Sequence, residues 1–232
     1  MLIQGFQNFS TLDFPDELAC IVFTGGCNFR CHYCHNPEMI SPAPETQWFD
    51  PQAILDFLKT RQGKLDGVVI TGGEPTLHAD LPDFIKKIRK LGFKVKLDTN
   101  GTNPKLLAEL YAEKLLDYVA MDLKHPLARY AEITGFADSA PIAQSVASIM
   151  RSGVPYEFRS TILPRTHTAR EIRAMGKAIK GAEKWYLQNF RPGKTLDPAF
   201  ADERSFTAPE LLALREVGAK FVKHCAIRDW RD

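Results

Sequence analysis

Apolar runs of strand length alternate with longer amphipathic segments from one end of the chain to the other. This alternation limits the fold most, because it is typical of parallel strands joined by helical crossovers. Six βα units are too few for a closed eight-stranded barrel. The sequence therefore predicts an α/β fold, a partial TIM-like (β/α)6 barrel, with a doubly wound sheet as the alternative. The predicted strands are Leu18 to Thr24, Gly67 to Thr71, Lys94 to Asp98, Tyr118 to Asp122, Tyr156 to Ile162 and Lys184 to Gln188.

Several helix ends can be predicted from capping residues. Two side chains that can cap a helix precede a first-turn proline, and two Thr/Glu pairs have capping-box spacing. These positions are Asp50-Pro51, Asn103-Pro104, Thr168 with Glu171, and Thr207 with Glu210. Gly92 and Gly153 are expected to end two helices. Lys124 to Ala140 is the longest irregular-looking connection, which makes it a candidate lid or partner loop.

Composition describes an ordinary soluble chain. Its 232 residues are 44% hydrophobic and 25% charged, enough for one sizeable core, and one domain over 1–232 is the simplest count. The formal net charge of +2 gives no argument for a nucleic-acid or membrane partner. No apolar stretch approaches the length of a membrane span, and residues 1–16 form no apolar signal segment. We therefore expect a cytoplasmic protein.

Three cysteines follow the first predicted strand. Cys27, Cys31 and Cys34 have C-x3-C-x2-C spacing in the segment TGGCNFRCHYCHNP. A cubane iron-sulfur cluster has four irons, which cysteine thiolates normally hold. Three closely spaced cysteines would leave one iron without a protein ligand and free to bind a small molecule. The spacing therefore favours a reactive 4Fe-4S cluster over a passive one.

Two other uses of these cysteines are open. A structural zinc site could take the three thiolates with His32 or His35, although such sites usually contain two separate C-x2-C pairs. A disulfide framework is disfavoured because five cysteines is an odd number and no signal segment precedes them, which indicates a reducing compartment. Cys20 is expected in the first strand and Cys225 in the last helix or tail, both as buried structural residues.

Unusual polar residues follow or end most of the predicted strands, at the carboxyl ends where α/β folds bind ligands, and Arg159 lies inside the fifth predicted strand. Carboxylates at three neighbouring strand ends are costly unless cations or donors meet them, and a zwitterionic, positively charged ligand would do so. Taken singly, each group has another explanation as a turn, half of an ion pair or core packing. The groups are Gly72-Gly-Glu-Pro75, Asp98-Thr-Asn-Gly101, Met121-Asp-Leu-Lys124, Arg159 and Gln188.

Together these motifs resemble the radical S-adenosylmethionine (SAM) enzymes, and within them the activating enzymes of glycyl radical enzymes. The nearest likeness is to the short activating proteins of anaerobic ribonucleoside-triphosphate reductases, and it extends from Gly5 to Pro192. The cysteine motif, with an aromatic residue before its last cysteine, is specific for the superfamily. Three further motifs point to activating enzymes: Tyr33-Cys-His-Asn-Pro37, Asp98-Thr-Asn-Gly101 and Met121-Asp-Leu-Lys124.

The resemblance implies how the cofactors are held. The three cysteines bind one 4Fe-4S cluster, whose fourth iron chelates the amine and carboxylate of SAM. Glu74, with Gly72 and Gly73, receives the SAM amine, as an amine needs a carboxylate and carbonyls beside it. Residues 1–17 are expected to pack near the cluster face.

The resemblance also implies contacts to the rest of SAM. Lys124 and Arg159 meet its carboxylate and ribose, and the backbone around Tyr33 contacts adenine. Gln188 stands where other activating enzymes carry a histidine, so it supplies a different contact or none. A monovalent cation beside SAM suits hard oxygen ligands, unless these residues only fix the strand ends by local hydrogen bonds. Its implied ligands are Asp98, Thr99, Met121 and Asp122.

The implied reaction is reductive cleavage of SAM, followed by removal of a hydrogen from one glycine of a large partner. The implied partner is an anaerobic ribonucleotide reductase, with a low-potential electron donor such as flavodoxin or ferredoxin. Two alternatives are open. One is a radical SAM enzyme acting on a small molecule, in the manner of 7-carboxy-7-deazaguanine synthases, and the other is a zinc or electron-transfer module.

Overall fold

Within the described part of the chain, eight strands form one sheet in the order in which they occur in the sequence. The structure is a computed structural model that describes residues 1–228. The first strand runs antiparallel to the second, and every later neighbouring pair is parallel. The strands are β1 (Ile3–Ser10), β2 (Ala19–Thr24), β3 (Gly67–Gly72), β4 (Lys94–Thr99), β5 (Tyr118–Asp122), β6 (Tyr156–Ile162), β7 (Lys184–Asn189) and β8 (His224–Arg228).

Helical crossovers connect the seven parallel strands, which gives six βα units followed by β8. The predicted partial barrel is therefore confirmed, and within the described residues no pairing joins β1 to β8. No helix found in residues 1–228 is long and apolar enough to cross a membrane. The helices are α1 (Pro37–Ile40), α2 (Pro51–Lys59), α3 (Leu81–Lys90), α4 (Pro104–Ala112), α5 (Ala131–Thr134), α6 (Ala140–Arg151), α7 (Ala169–Ala178) and α8 (Ala208–Gly218).

All six predicted strands are present, whereas β1 and β8 were not predicted. β1 reads IQGFQNFS, in which Gly, Asn, Gln and Ser weaken the strand pattern, and β8 is a short strand, HCAIR. The prediction that Cys225 lies in the last helix or tail is wrong, because it lies in β8. Cys20 lies in β2 and is fully buried, as expected.

The predicted helix ends are confirmed by their hydrogen bonds. Asp50 accepts from the backbone N–H of Gln52, and Asn103 accepts from that of Leu106. Both predicted capping boxes form, at the starts of α7 and α8. Gly92 and Gly153 follow α3 and α6 with φ of +91° and +75°, a conformation that favours glycine.

The two faces of the strands have different partners. Residues such as Val68, Ile70 and Leu97 belong to the main core between sheet and helices. Alternate residues face the barrel interior, because successive side chains of a strand point to opposite faces. The lower interior, near the amino ends of the parallel strands, holds a small apolar cluster that includes Ile21 and Val69. The upper interior, near their carboxyl ends, contains charged side chains.

The segment Lys124 to Ala140 is less irregular than predicted, and its role as a lid or partner loop stays a prediction. This segment contains a 3-10 turn at Leu127–Arg129 and the short helix α5. The carbonyl of Thr134 accepts from the N–H of Arg30 at 2.7 Å, and that of Ile133 accepts from His32 at 3.3 Å. The segment therefore braces the cysteine loop.

Candidate active site

A cavity of about 260 Å³, lined by both polar and apolar groups, opens at the carboxyl ends of the strands. All but two of the predicted site residues line it, although they come from five different segments: the cysteine loop after β2, the ends of β3, β4 and β5, and the middle of β6. The predicted residues that line it are Cys27, Cys31, Tyr33, Cys34, Gly72, Gly73, Glu74, Asp98, Thr99, Asp122, Lys124 and Arg159. The structure thus brings together residues that lie up to 132 positions apart in the chain (159 minus 27).

Backbone hydrogen bonds hold the cysteine loop on several sides. The N–H of Cys27 donates to the carbonyl of Ile40 at 3.2 Å, next to the end of α1. The carbonyl of Cys34 accepts from Leu196 at 2.9 Å, and the N–H of Gly25 donates to Leu2 at 3.0 Å. Together with the α5 contacts, these bonds fix the loop without using any cysteine side chain.

The thiols themselves are largely shielded from water. Burial raises the pKa of Cys31 to about 12, although the nearby Lys124 cation acts in the opposite direction. Burial also raises the pKa of Cys27, against the N–H of Phe29, which lies 3.4 Å from its sulfur. The protein alone therefore keeps these two groups as thiols. Binding of a metal would release their protons, because thiolates are the ligating form.

The Gly72-Gly73 turn packs directly on the backbone before the first cysteine. A Cβ on Gly73 would lie 2.0 Å from the Gly26 carbonyl oxygen, and one on Gly72 would lie 2.4 Å from Thr24 backbone atoms. The N–H of Glu74 also donates to the Gly26 carbonyl at 2.8 Å. Both glycines are required for this close approach, which joins the end of β3 to the cysteine loop.

Glu74 is fully buried, and its carboxylate is engaged within the protein. Oε1 accepts from the N–H and hydroxyl of Thr76 at 3.0 and 2.5 Å and from the Thr99 hydroxyl at 2.8 Å. Oε2 accepts from the N–H of Asn100 at 2.6 Å. Burial raises the pKa of Glu74, and these hydrogen bonds oppose that rise. Its clearest structural effect is to tie the end of β3 to the end of β4.

Five charged side chains form an alternating chain beneath and beside the cavity, which we call the rim network. Asp98 accepts from Lys96 at 2.5 Å through Oδ1 and from Arg159 at 3.0 Å through Oδ2. Asp122 accepts from Arg159 at 3.0 Å through Oδ1 and from Lys124 at 3.1 Å through Oδ2. Three cations thus meet two carboxylates, which leaves one excess positive charge.

The charges of the rim network keep its carboxylates ionised. Burial alone would raise the pKa of Asp122, but Arg159 and Lys124 outweigh it and lower that pKa to about 2. The pKa of Asp98 is also lowered, because Arg159 and Lys96 together outweigh burial. The pKa values of Lys124 and Arg159 are raised by Asp122, despite burial.

Several residues of the site were not predicted. Lys96 is the clearest, since strand alternation places it two residues before Asp98 on the same face. Two further groups hold the backbone of Lys124: its N–H donates to the Tyr130 hydroxyl at 3.2 Å, and its carbonyl lies 3.0 Å from Nε2 of His167. Asn100 lines the cavity, with Nδ2 at 4.0 Å from the sulfur of Cys27.

Two predicted residues, Met121 and Gln188, do not line the cavity. The Met121 side chain is fully buried in the main core, so only its backbone could reach a bound cation. Gln188 is the fifth residue of β7, in register with Thr161 and Arg228.

The donor set fits an iron-sulfur cluster better than zinc. Among residues 1–228, no three His, Cys, Asp or Glu side chains are grouped as a single metal ion requires. His32 stacks on Phe200, and His35 stacks on Phe190 with Nε2 2.9 Å from the Arg191 carbonyl, so neither completes a zinc site. A four-iron cluster offers each thiolate a different iron, so its ligands need not converge on one atom.

Comparison with known protein families also supports an iron-sulfur cluster. The sequence pattern of the radical SAM superfamily matches residues 21–179, which is more than half of the chain. The chain therefore belongs to the radical SAM superfamily. It is a radical SAM enzyme, and its cofactors are a 4Fe-4S cluster and SAM.

Among the relatives with similar sequences, two are named as activating enzymes and one as a cyclase. A Methanocaldococcus jannaschii protein with the name "Putative glycyl-radical enzyme activating enzyme" is 31% identical over 98% of this chain and 95% of its own length. The pyruvate formate-lyase-activating enzyme of Clostridium pasteurianum is 28% identical over 84% of this chain and 82% of its own length. A probable GTP 3',8-cyclase of Pyrococcus horikoshii is 33% identical, but over 73% of this chain and 50% of its own length.

Solved structures share the fold at low sequence identity. SuiB of Streptococcus suis superposes with a TM-score of 0.65 and 15% identity over 89% of this chain. This chain spans about half of SuiB, 47% of its length. The enzyme anSMEcpe with bound AdoMet gives a TM-score of 0.60 and 17% identity over 84% of this chain and 57% of its own.

Proposed function

We propose that this protein activates a glycyl radical enzyme, with an anaerobic ribonucleotide reductase as its partner. The observation that carries the activating function is coverage: similarity to proteins named as activating enzymes extends over 98% and 84% of the chain. The choice of partner rests on the resemblance of the sequence motifs. Similarity to the cyclase stops at 73%. The residues of the cavity support the same class, because its thiols, carboxylates and cations suit a cluster with SAM beside it.

In this proposal the cysteines and the rim network have different roles. Cys27, Cys31 and Cys34 hold the cluster, and Lys124 with Arg159 faces the carboxylate and ribose of SAM through the excess positive charge of the rim network. When bound, the two cofactors supply the electron and the radical that the reaction needs. The chain's own residues bind, orient and exclude water, and no side chain acts as an acid or base.

Glu74 supports the SAM amine mainly through the turn that it stabilises. Its carboxylate already accepts from four donors, so the Gly72-Gly73 backbone is the more accessible partner for an amine. Tyr33 contributes backbone at the adenine, since its ring is buried beside Phe190 and His167. The proposal includes a reducing compartment, the cytoplasm, because the thiols must stay reduced, and a low-potential donor such as flavodoxin or ferredoxin.

The test is direct. The protein is reconstituted with iron and sulfide without oxygen, reduced, and mixed with SAM and the reductase, and a glycyl signal is sought by electron paramagnetic resonance. A reductase whose radical glycine is replaced by alanine is the matched control. SAM cleavage without a glycyl signal would reject the reductase as partner, and pyruvate formate-lyase would then be tested. SAM cleavage stimulated by GTP or a deazaguanine precursor would favour a small-molecule enzyme.

A further inference from the structure

Each carboxylate oxygen of Asp98 accepts a hydrogen bond from a protein cation. The Lys96 ammonium lies 2.5 Å from Oδ1, and Nη1 of Arg159 lies 3.0 Å from Oδ2. The Lys96 side chain is only 2% exposed, so water does not compete for this contact. A metal ion at Oδ1 would therefore have to share one oxygen with a buried ammonium, and like charges repel strongly in such a site.

Lys96 reaches Asp98 from the side away from the cavity. It lies two residues earlier in β4, in register with the first residue of β5, and does not line the cavity. Asp98, in contrast, lines the cavity with Arg159. The Lys96 ammonium thus neutralises the Asp98 carboxylate from the side away from the cavity. It occupies no part of the cavity surface, which stays free for a ligand.

Two of the other residues expected to hold a monovalent cation, Asp122 and Thr99, are also engaged in hydrogen bonds. The carboxylate oxygens of Asp122 accept from Arg159 and Lys124. The Thr99 hydroxyl donates to Glu74 at 2.8 Å and accepts from the N–H of Gly101 at 3.1 Å. Hard cations require several oxygen ligands at once, and a metal ion here would have to share these oxygens with nitrogen and hydroxyl donors.

We propose that the Lys96 ammonium is the built-in cation of this site, and that the protein binds SAM without a monovalent metal ion. Lys96 is a positioning residue: it fixes Asp98, which fixes Arg159, which faces the cavity. The proposal rests on the SAM cofactor and not on the identity of the partner. A failed glycyl-radical assay would therefore leave it intact if SAM still binds.

The first experiment uses the wild-type holoenzyme. The SAM dissociation constant is measured by titration calorimetry in potassium, sodium or choline chloride at one ionic strength. Because Lys96 supplies the charge, the three values should agree within about twofold. A SAM affinity more than about fivefold weaker in choline would overturn the proposal, since a metal ion would then be needed.

The second experiment removes the ammonium. Lys96→Met should bind SAM about tenfold or more weakly in choline and recover in potassium or sodium, because Asp98 Oδ1 is freed to bind a metal ion. Lys94→Met is the matched control: this lysine lies on the same strand, is exposed and pairs with Glu17. It should show no cation dependence. An equal loss for Lys96→Met in all three salts would contradict the proposal.

The third readout does not need the cofactors. Thermal unfolding of cluster-free Lys96→Met should shift upward in potassium or sodium relative to choline, whereas wild type and Lys94→Met should not shift. The double variant Lys96→Met with Asp98→Asn removes both charges and should lose the cation response. A response that persists there would show that Asp98 is not its source. If Lys96→Met fails to fold, the wild-type salt comparison still decides.

Discussion

Among the residues that the structure describes, two ionic networks with buried carboxylates lie inside the partial barrel, and one of them faces the cavity. The first is the rim network. The second, which we call the lower network, consists of Glu157 with Tyr118 and Arg228. Oε2 of Glu157 accepts from the Tyr118 hydroxyl at 3.1 Å, and Oε1 accepts from Arg228 at 2.6 Å. None of its three residues lines the cavity.

The difference lies in charge balance and position, not in residue type. The lower network pairs one carboxylate with one guanidinium, and Glu157 is fully buried near the start of β6. The rim network has one cation more than carboxylates and ends at Lys124, beside the cysteines. A balanced, closed pair stabilises the barrel, whereas an unbalanced chain that opens on a cavity can also bind an anionic group.

The largest effect is expected where the cavity meets the cysteines. Cys31→Ala should remove a cluster ligand and lower SAM cleavage by about a thousandfold or more, measured as 5'-deoxyadenosine by chromatography. Cys20→Ala, in β2 and outside the cavity, is the matched control. It should keep its iron content and lose about 1 kcal/mol of stability. Unchanged 5'-deoxyadenosine formation by Cys31→Ala would refute the cluster assignment.

The next prediction breaks each network in turn. Arg159→Met removes the guanidinium that bridges Asp98 and Asp122, so each carboxylate keeps one counter-ion instead of two. The loss should cost about 3–5 kcal/mol in unfolding free energy. It should also weaken SAM binding about tenfold. Glu157→Gln should cost only about 1–3 kcal/mol, because Arg228 is partly exposed. Denaturant unfolding and calorimetry measure both, and a SAM affinity changed equally by both variants would contradict the distinction.

The pH dependence of Arg159→Met sharpens this prediction. The pKa of Asp122 is about 2 in the folded protein, below its unfolded value of about 4. Its contribution is therefore present above about pH 4 and is lost as the pH falls toward 2. The stability difference between wild type and Arg159→Met should shrink over that range. A constant difference would show that the loss arises from packing and not from charge.

Most of the fold could be predicted because apolar runs reveal buried parallel strands. All six predicted strands and both capping boxes are present. β1 was missed because its side chains are largely polar, and it gains its stability by pairing with β2. The helical turns within Lys124 to Ala140 were missed because they are short, and their role depends on a contact with a loop about 100 residues earlier.

The site could be predicted where chemistry and position coincide in the sequence. The cysteine spacing and the polar strand ends were sufficient to place residues on one rim. Lys96 could have been found by strand alternation, because it shares a face with Asp98. His167 could not, since only the folded chain brings its ring to the Lys124 carbonyl. A side chain such as that of His167, which contacts only the backbone of a distant residue, is not part of a recognisable sequence motif.

A smaller effect is expected in the pH dependence of stability, through His167, which contacts the backbone of Lys124. Burial lowers the pKa of His167 to about 4, and its ring lies between Lys124 and Leu163. Since the unfolded pKa is about 6.5, the unfolded chain binds more protons between those values. Stability should fall by about 3 kcal/mol as the pH drops through this range.

The control for this prediction is a matched pair of histidine variants. His167→Gln should lose most of the fall in stability between pH 6.5 and 4, while His224→Gln, at an exposed position of β8, should keep it. Urea unfolding of the cluster-free protein measures both profiles. If His167→Gln retained the wild-type profile, the acid sensitivity would have to come from another group.

The smallest predicted effect compares the loss of a single hydroxyl donor at two buried carboxylates, one in the lower network and one beside the cavity. Tyr118→Phe and Thr99→Val each remove one hydroxyl donor from a buried carboxylate, Glu157 in the first case and Glu74 in the second. Each should cost about 1–2 kcal/mol by thermal unfolding. Only Thr99→Val should also weaken SAM binding, by about threefold to tenfold, because Thr99 lines the cavity and fixes the turn beside it. Equal SAM affinities in the two variants would mean that the rim tolerates the loss of a hydrogen bond as well as the lower barrel does.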